Sequence, residues 1–186
     1  MSAMKHTLVA LVENKPGVLN RVASLFRRRG FNIESIAVGH SEVPQLSRMT
    51  IVVDGTASTV EQVRKQLDKV IDVVRVSDIT EENIIARELA LIKVKTTATS
   101  RSEIMQVVDI FRANIVDVGT DSLTVEVTGD EDKVDSLFTL LRGFGIKELA
   151  RTGRIAMIRG GTGPLPVEKE SANGHNGNGK KHETDR

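Results

Sequence analysis

The feature that most constrains this chain is an order of apolar periodicities, strand-helix-strand-strand-helix-strand, that occurs twice in succession. Thr7-Leu-Val-Ala-Leu-Val12 is apolar at both alternating positions, the signature of a central strand covered on both faces. After the break at Asn14-Lys15-Pro16-Gly17, Val18, Val22, Leu25 and Phe26 recur at helical spacing, and Gly30 stands where such a helix stops. Residues 32–39 and 46–53 read as strands joined by a polar loop around Pro44. Ser58-x-x-Glu61 has the form of a capping box ahead of an apolar helical face of Val60, Val63, Leu67 and Val70, and residues 72–77 close the unit as a β-branched strand.

The second half follows the same plan. Residues 88–96 read as a strand, Ser100-x-x-Glu103 as another capping box, and Ile104, Val107, Val108 and Phe111 as the next helical stripe. Strands over 114–118 and 123–127, a helix face of Val134, Leu137 and Leu141, and a final strand over 146–158 bent at Gly153 complete it. Thr50, Gly55, Val60 and Leu67 match Thr124, Gly129, Val134 and Leu141 at a constant offset of 74 residues. The expected fold class is therefore α+β: two tandem ferredoxin-like βαββαβ domains with antiparallel sheets, residues 1–79 and 87–160, joined by a linker over 80–86. From 161 to 186 the composition turns to Gly, Asn, Lys and Glu with almost nothing apolar after Val167, so this tail is expected to be disordered.

Composition excludes several classes of function. The 26 basic and 25 acidic residues nearly cancel, leaving no one-sign field of the kind that draws nucleic acid or anionic membranes. The absence of Cys removes thiol nucleophiles, thiolate metal sites and disulfides. The apolar run near Lys5 is too short for a signal peptide and no later run reaches membrane-spanning length, so a soluble cytoplasmic protein is expected. His6, His40, His175 and His182 are scattered, so no metal cluster or catalytic set is visible. Glu81-Glu82 and Asp130-Glu131-Asp132 read as solvated or helix-start charges. Arg27-Arg28-Arg29 complements the carbonyl end of the first helix. The βαββαβ order is also that of an RNA-recognition module, but the chain has no Trp or Tyr and its five Phe residues fall in or beside helices or at strand entries, away from any stacking platform.

The informative stretch is the first strand-to-helix turn, Glu13 to Leu19. Backbone N–H groups gather at a helix start, Gly17 permits close approach, and the helix dipole favours an anion, so the turn suits the carboxylate of a free amino acid. Asn14 and Asn32 could accept from its ammonium group. By pattern alone the same residues read more readily as a plain Pro-Gly turn with Asn14 as a helix cap. The equivalent turn of the second repeat, Thr96-Thr-Ala-Thr-Ser-Arg101, has no Asn, Pro or Gly, so any ligand belongs to the first domain.

Glu13-Asn-Lys-Pro-Gly17, Arg28-Arg-Gly-Phe-Asn-Ile-Glu-Ser35, Ser47-Arg-Met-Thr50 and Ala150-Arg-Thr-Gly153, in that order and approximate spacing, resemble the small regulatory subunit family of acetohydroxyacid (acetolactate) synthase over residues 4–160. The resemblance implies an ACT domain followed by an ACT-like domain, and a homodimer whose first domains join sheets side by side. It implies valine as effector at that interface, with Asn14, Gly17, Val18 and Leu19 facing Asn32 and Ile33 of the neighbouring copy. It also implies a chain that is not itself an enzyme and holds no cofactor or metal. Its partner would be a catalytic large subunit carrying thiamine diphosphate, Mg and FAD, which it activates and makes sensitive to feedback inhibition by valine in branched-chain amino acid biosynthesis. The alternative is a stand-alone amino-acid-sensing ACT protein acting on transcription or on another enzyme.

Overall fold

The computed structural model describes residues 4–160. The tail expected to be disordered, with His175 and His182, lies outside the described residues. The first unit comprises β1 (Met4–Glu13), α1 (Val18–Arg29), β2 (Ile33–His40), β3 (Leu46–Gly55), α2 (Ala57–Leu67) and β4 (Val73–Asp78). The second comprises β5 (Ile84–Lys95), α3 (Arg101–Ile110), β6 (Asn114–Val118), β7 (Ser122–Gly129), α4 (Glu131–Arg142) and β8 (Ile146–Arg151), followed by β9 (Ile155–Ile158). The sheets run β2-β3-β1-β4 and β6-β7-β5-β8, antiparallel throughout, so the two expected βαββαβ units are present and share one topology.

Each unit closes a core between its sheet and its helix pair. In the first, Leu8, Ala10 and Val12 of β1 meet Val18, Val22, Leu25 and Phe26 of α1 and Val60, Val63 and Leu67 of α2. In the second, Ala90, Ile92 and Val94 of β5 meet Ile104 and Val108 of α3 and Val134, Leu137 and Leu141 of α4. The stripes predicted from periodicity are the buried faces, because a 3.6-residue repeat keeps one side of each helix on the sheet.

The two units differ on the opposite face of their sheets. Val9 and Leu11, the alternate residues of β1, are buried against Ile79, Ala156 and the flanking Ile84, Ala86 and Ile158. The cover is a two-stranded ribbon in which β9 pairs with the first four residues of β5, Ile84↔Ile158 through Arg87↔Ile155. Beyond it β5 alternates, with Leu91 exposed between buried Ala90 and Ile92. A strand covered on both sides reads as a continuous apolar run and one covered on a single side reads as an alternation, which is how β1 and the end of β5 differ in sequence.

Three expectations are corrected. The final strand over 146–158 is two strands: the chain leaves the second sheet after Arg151 and crosses to the first unit, where a Cβ on Gly153 would stand 2.4 Å from the Ile36 carbonyl oxygen. The stretch read as a linker is only partly one, since β5 begins at Ile84 and pairs there with β9. Neither capping box forms. Thr56, still extended, caps α2 by accepting from the Thr59 N–H, while Ser58 is already helical and Glu61 takes the Arg64 Nε–H at 2.8 Å. Ser100 has helical backbone and its hydroxyl accepts instead from the Thr97 N–H at 2.9 Å. Among the described residues no helix is long and apolar enough to cross a membrane, and no group of three or more His, Asp or Glu is placed to hold a metal ion.

Candidate functional site

The first strand-to-helix turn has the geometry of an open anion cradle. Gly17 precedes α1 at φ +89°, a left-handed conformation that a side chain resists, and offers no side-chain cap. The first helical bond runs from the Arg21 N–H to the Gly17 carbonyl at 3.0 Å, so the amides of Val18, Leu19 and Asn20 precede the first bond of the helix, at the positive end of its dipole. A Cβ on Gly17 would find nothing within 4 Å, so the space before the turn is clear. Asn14 is not the helix cap. Its N–H donates to the Gln45 carbonyl at 2.7 Å and its Nδ2 lies 3.3 Å from His40 Nδ1, which fastens the turn to the β2–β3 hairpin.

The turn is buttressed from below by a residue that sequence reasoning missed. Asp72, 1% exposed, receives Lys15 of the turn at 2.8 Å and the guanidinium of Arg21. The hydrogen bond from Lys15, with Arg21 beside it, holds the Asp72 carboxyl below the usual carboxylate range, and the Lys15 ammonium is raised in return, Asp72 being the first cause. The carboxylate is thus paired with Lys15 and Arg21, and among the described residues no bond from the Val18, Leu19 or Asn20 N–H competes for the turn. No local pattern could have found this, since Asp72 is far from Lys15 in sequence and next to it only after β4 pairs with β1.

The six expected site residues fall in two groups within one chain. Asn14, Gly17, Val18 and Leu19 share the turn. The Val18 side chain, 3% exposed, belongs to the core, so Val18 offers the cradle only its backbone, whereas Leu19 is 49% exposed beside the amides. Asn32 and Ile33 lie past the other end of α1, and twelve residues of helix span ~18 Å. Asn32 Nδ2 donates to Glu34 at 2.9 Å, and Ile33 packs at the edge of the core where β2 begins. One copy of the chain does not bring the two groups together.

β2 is the edge strand of its sheet, with β3 on one side. It runs parallel to β1, so Ile33 sits at the end far from the turn and His40 at the end beside Asn14. A second copy adding its own β2 antiparallel about a two-fold axis near Ile36 and Ala37 would set Ile33 of one copy opposite His40 of the other. The equivalent turn of the second unit is closed by its own side chains: Thr97 and Ser100 exchange N–H to hydroxyl bonds at 2.9 and 3.2 Å, and Arg101 fills the space with bonds to the Gly119 and Thr120 carbonyls at 2.9 and 3.1 Å.

Residues 8–75 match a family described as an AHAS small subunit-like ACT domain, and residues 87–160 match one described as the small subunit of acetolactate synthase. A probable acetolactate synthase small subunit of Archaeoglobus fulgidus is 61% identical over 157 residues, covering 84% of this chain and 98% of that protein. The acetolactate synthase small subunit of Bacillus subtilis is 50% identical over 158 residues, covering 84% and 92%. The crystal structure of the small subunit from Thermotoga maritima superposes with a TM-score of 0.79 at 46% identity, covering 86% of this chain and 99% of that one.

Proposed function

The chain belongs to the acetolactate synthase small-subunit family, and from that premise we propose that it is a non-catalytic regulatory subunit: it activates a separate catalytic subunit and makes it subject to inhibition by valine. The observation that carries the sensing part is the cradle at Gly17, a helix start with clear space before it and amides that precede the first helical bond. A carboxylate accepts from these N–H groups at the positive end of the dipole, as anions do at helix N-termini. Asn14 of the same copy and Asn32 of a second copy supply acceptors for the ammonium, and the exposed Leu19 with Ile33 of that second copy receives the isopropyl group. The edge position of β2 supports a homodimer in which this two-copy site is completed.

In this reading thiamine diphosphate, Mg and FAD stay with the catalytic subunit, and this chain acts by binding alone. Regulation is then a coupling between the valine cradle and the catalytic partner, so valine affinity must change on assembly by the same factor as the effect of valine on assembly. Membership of the synthase family favours this over a free-standing sensor of transcription or another enzyme.

The test is a calorimetric titration of the chain with valine beside an assay of acetolactate formation with its catalytic subunit, using Gly17→Asp as the comparison. The substitution puts a carboxylate into the anion cradle, so valine binding and inhibition are expected to vanish while activation persists. Valine inhibition unchanged in Gly17→Asp would remove the site, and failure of the chain to activate the synthase would remove the function.

A further inference from the structure

The Ser47-Arg-Met-Thr50 block takes no part in the valine cradle, yet Arg48 stands at a second hollow. The β5–β9 ribbon covers the middle of the first sheet but stops short of its β2 edge. There Ala37 and Gly39, paired with Thr50 and Arg48, leave a floor of short side chains. Ile85, Ile155 and Met157 of the ribbon form the wall, closing a cavity of about 320 Å³ between the two units, at the small end of the range of ligand pockets. Ile155 and Met157 are more than half exposed, so apolar surface faces the hollow without an occupant from the described residues.

The charged side chains that line it, Arg48 and Arg87, are of one sign, with the His40 imidazole beside them. Arg48 is half-buried, and its guanidinium donates to the Ala156 carbonyl at 2.9 Å, which fixes the group at the cavity while leaving other N–H donors unused by that bond. Arg48 makes no ion pair with a carboxylate among the described residues; Glu42 acts on it only through space, and loss of water lowers its pKa. Arg87 closes the rim and, among the described residues, donates only to the neighbouring Ala86 carbonyl, at 2.7 Å. Among the described residues no Asp or Glu lines the cavity. A buried-side arginine is ordinarily paired, because a desolvated charge without a counter-ion is costly.

We infer that this cavity, which adjoins the valine cradle through the contact of His40 with Asn14 but is formed by other residues, is a second ligand site for small aliphatic carboxylates that carry no ammonium group. The carboxylate takes the free N–H donors of Arg48 and Arg87, and the alkyl chain lies on Ile85, Ile155 and Met157. An amino acid is disfavoured because its ammonium would face two arginines and find no carboxylate. The site draws its floor from the first unit and its wall from the second, so an occupant ties the two units together.

The experiment is a calorimetric titration of the full chain with 4-methylpentanoate and with neutral 4-methylpentanamide, repeated on Arg48→Gln and Arg87→Gln, with valine titrated in parallel. Saturable binding of the carboxylate but not the amide is expected, weakened by about tenfold or more in Arg48→Gln and clearly in Arg87→Gln, as loss of a charge-assisted hydrogen bond requires. Valine binding is expected to survive in both variants, and carboxylate binding to survive in Gly17→Asp, so the two sites stand or fall separately. Arg87→Gln guards against a folding defect in Arg48→Gln, since the Arg87 side chain is exposed and bonds to no other strand among the described residues. Absence of carboxylate binding, equal affinity for the amide, or affinity unchanged by both substitutions would overturn the inference. So would a change of oligomeric state in both variants with no carboxylate bound, which would show that a second copy covers the hollow.

Discussion

Two glycines separate two kinds of constraint that a sequence writes with the same letter. Gly17 is held at φ +89° with open space where a Cβ would go, so its requirement is one of backbone conformation alone. Gly153 has no such φ, but a Cβ there would meet the Ile36 carbonyl oxygen at 2.4 Å, so its requirement is one of room between the two units. Gly17→Ala is expected to cost about 1–2 kcal/mol, the penalty of a left-handed residue with a side chain. Gly153→Ala is expected to cost about 1–3 kcal/mol, because a backbone atom cannot yield as a side-chain tip can. Urea unfolding of both variants reports these costs. The second substitution should also loosen the Arg154 N–H bond to Ser35 Oγ, 2.8 Å in the native chain, and so speed proteolysis between the units.

At the scale of elements, the turn between β1 and α1 is held by an element from the far end of its unit. The loop entering β4 brings Asp72 under Lys15 and Arg21, and its carbonyl accepts the Glu13 N–H at 2.9 Å. The Asp72 carboxyl is lowered in the folded chain, chiefly by the hydrogen bond from Lys15. A carboxyl whose folded pKa lies below its unfolded value of about 3.9 stabilises above that value, and the contribution is lost as pH falls through the folded pKa. Asp72→Asn should therefore lower stability at neutral pH and flatten the acid limb below about pH 4. Urea midpoints measured from neutral pH to about pH 3 test this; parallel curves for the two proteins would mean that the Asp72 charge does not support the turn.

At the scale of the whole molecule, the two units are joined by charge as well as by the apolar ribbon. Glu131 at the start of α4 receives Lys5 of β1 at 2.6 Å and the guanidinium of Arg154, which also reaches Thr7 Oγ1 at 3.4 Å. The bond from Lys5 is the first cause of the lowered Glu131 carboxyl, so its contribution is present above the usual glutamate value of about 4.3 and fades as pH falls through the folded one. Glu131→Gln is expected to weaken docking of the units by about 1 kcal/mol or less, as partly exposed pairs do. Faster proteolysis in the 78–83 connection, with each unit's own core intact, is the result that checks it.

The valine site proposed to form between two copies carries a prediction at this scale. Asn14→Ala and Asn32→Ala should each impair both sites of their own homodimer. In an exchanged equal mixture half the dimers are hybrids with one intact site, so about a quarter of the native sites should return. Calorimetry on the mixture reads this directly, and no recovery on exchange would place both asparagines in one copy's site or in none.

Much of this protein follows from its sequence alone. The order of elements, the doubled unit, the buried stripes such as Val60-Val63-Leu67 and Val134-Leu137-Leu141, and the turn at Gly17 are local consequences of period, branching and backbone freedom. Even the two-sided cover of β1 was legible in its unbroken apolar run. What only the tertiary structure decided involves residues far apart in the chain: Asp72 beneath the turn, Glu131 between Lys5 and Arg154, and the crossing of the chain at Gly153, where the bend itself was legible, onto Ile36 and Ser35 of the first unit. The reading of Glu131 as a helix-start charge was incomplete for this reason, since one partner, Lys5, comes from the other unit and the second, Arg154, from beyond the end of β8. Pairing of β4 on β1, and of β9 on the start of β5, sets those neighbours, and long-range pairing depends on register and shape rather than on any pattern within a few residues.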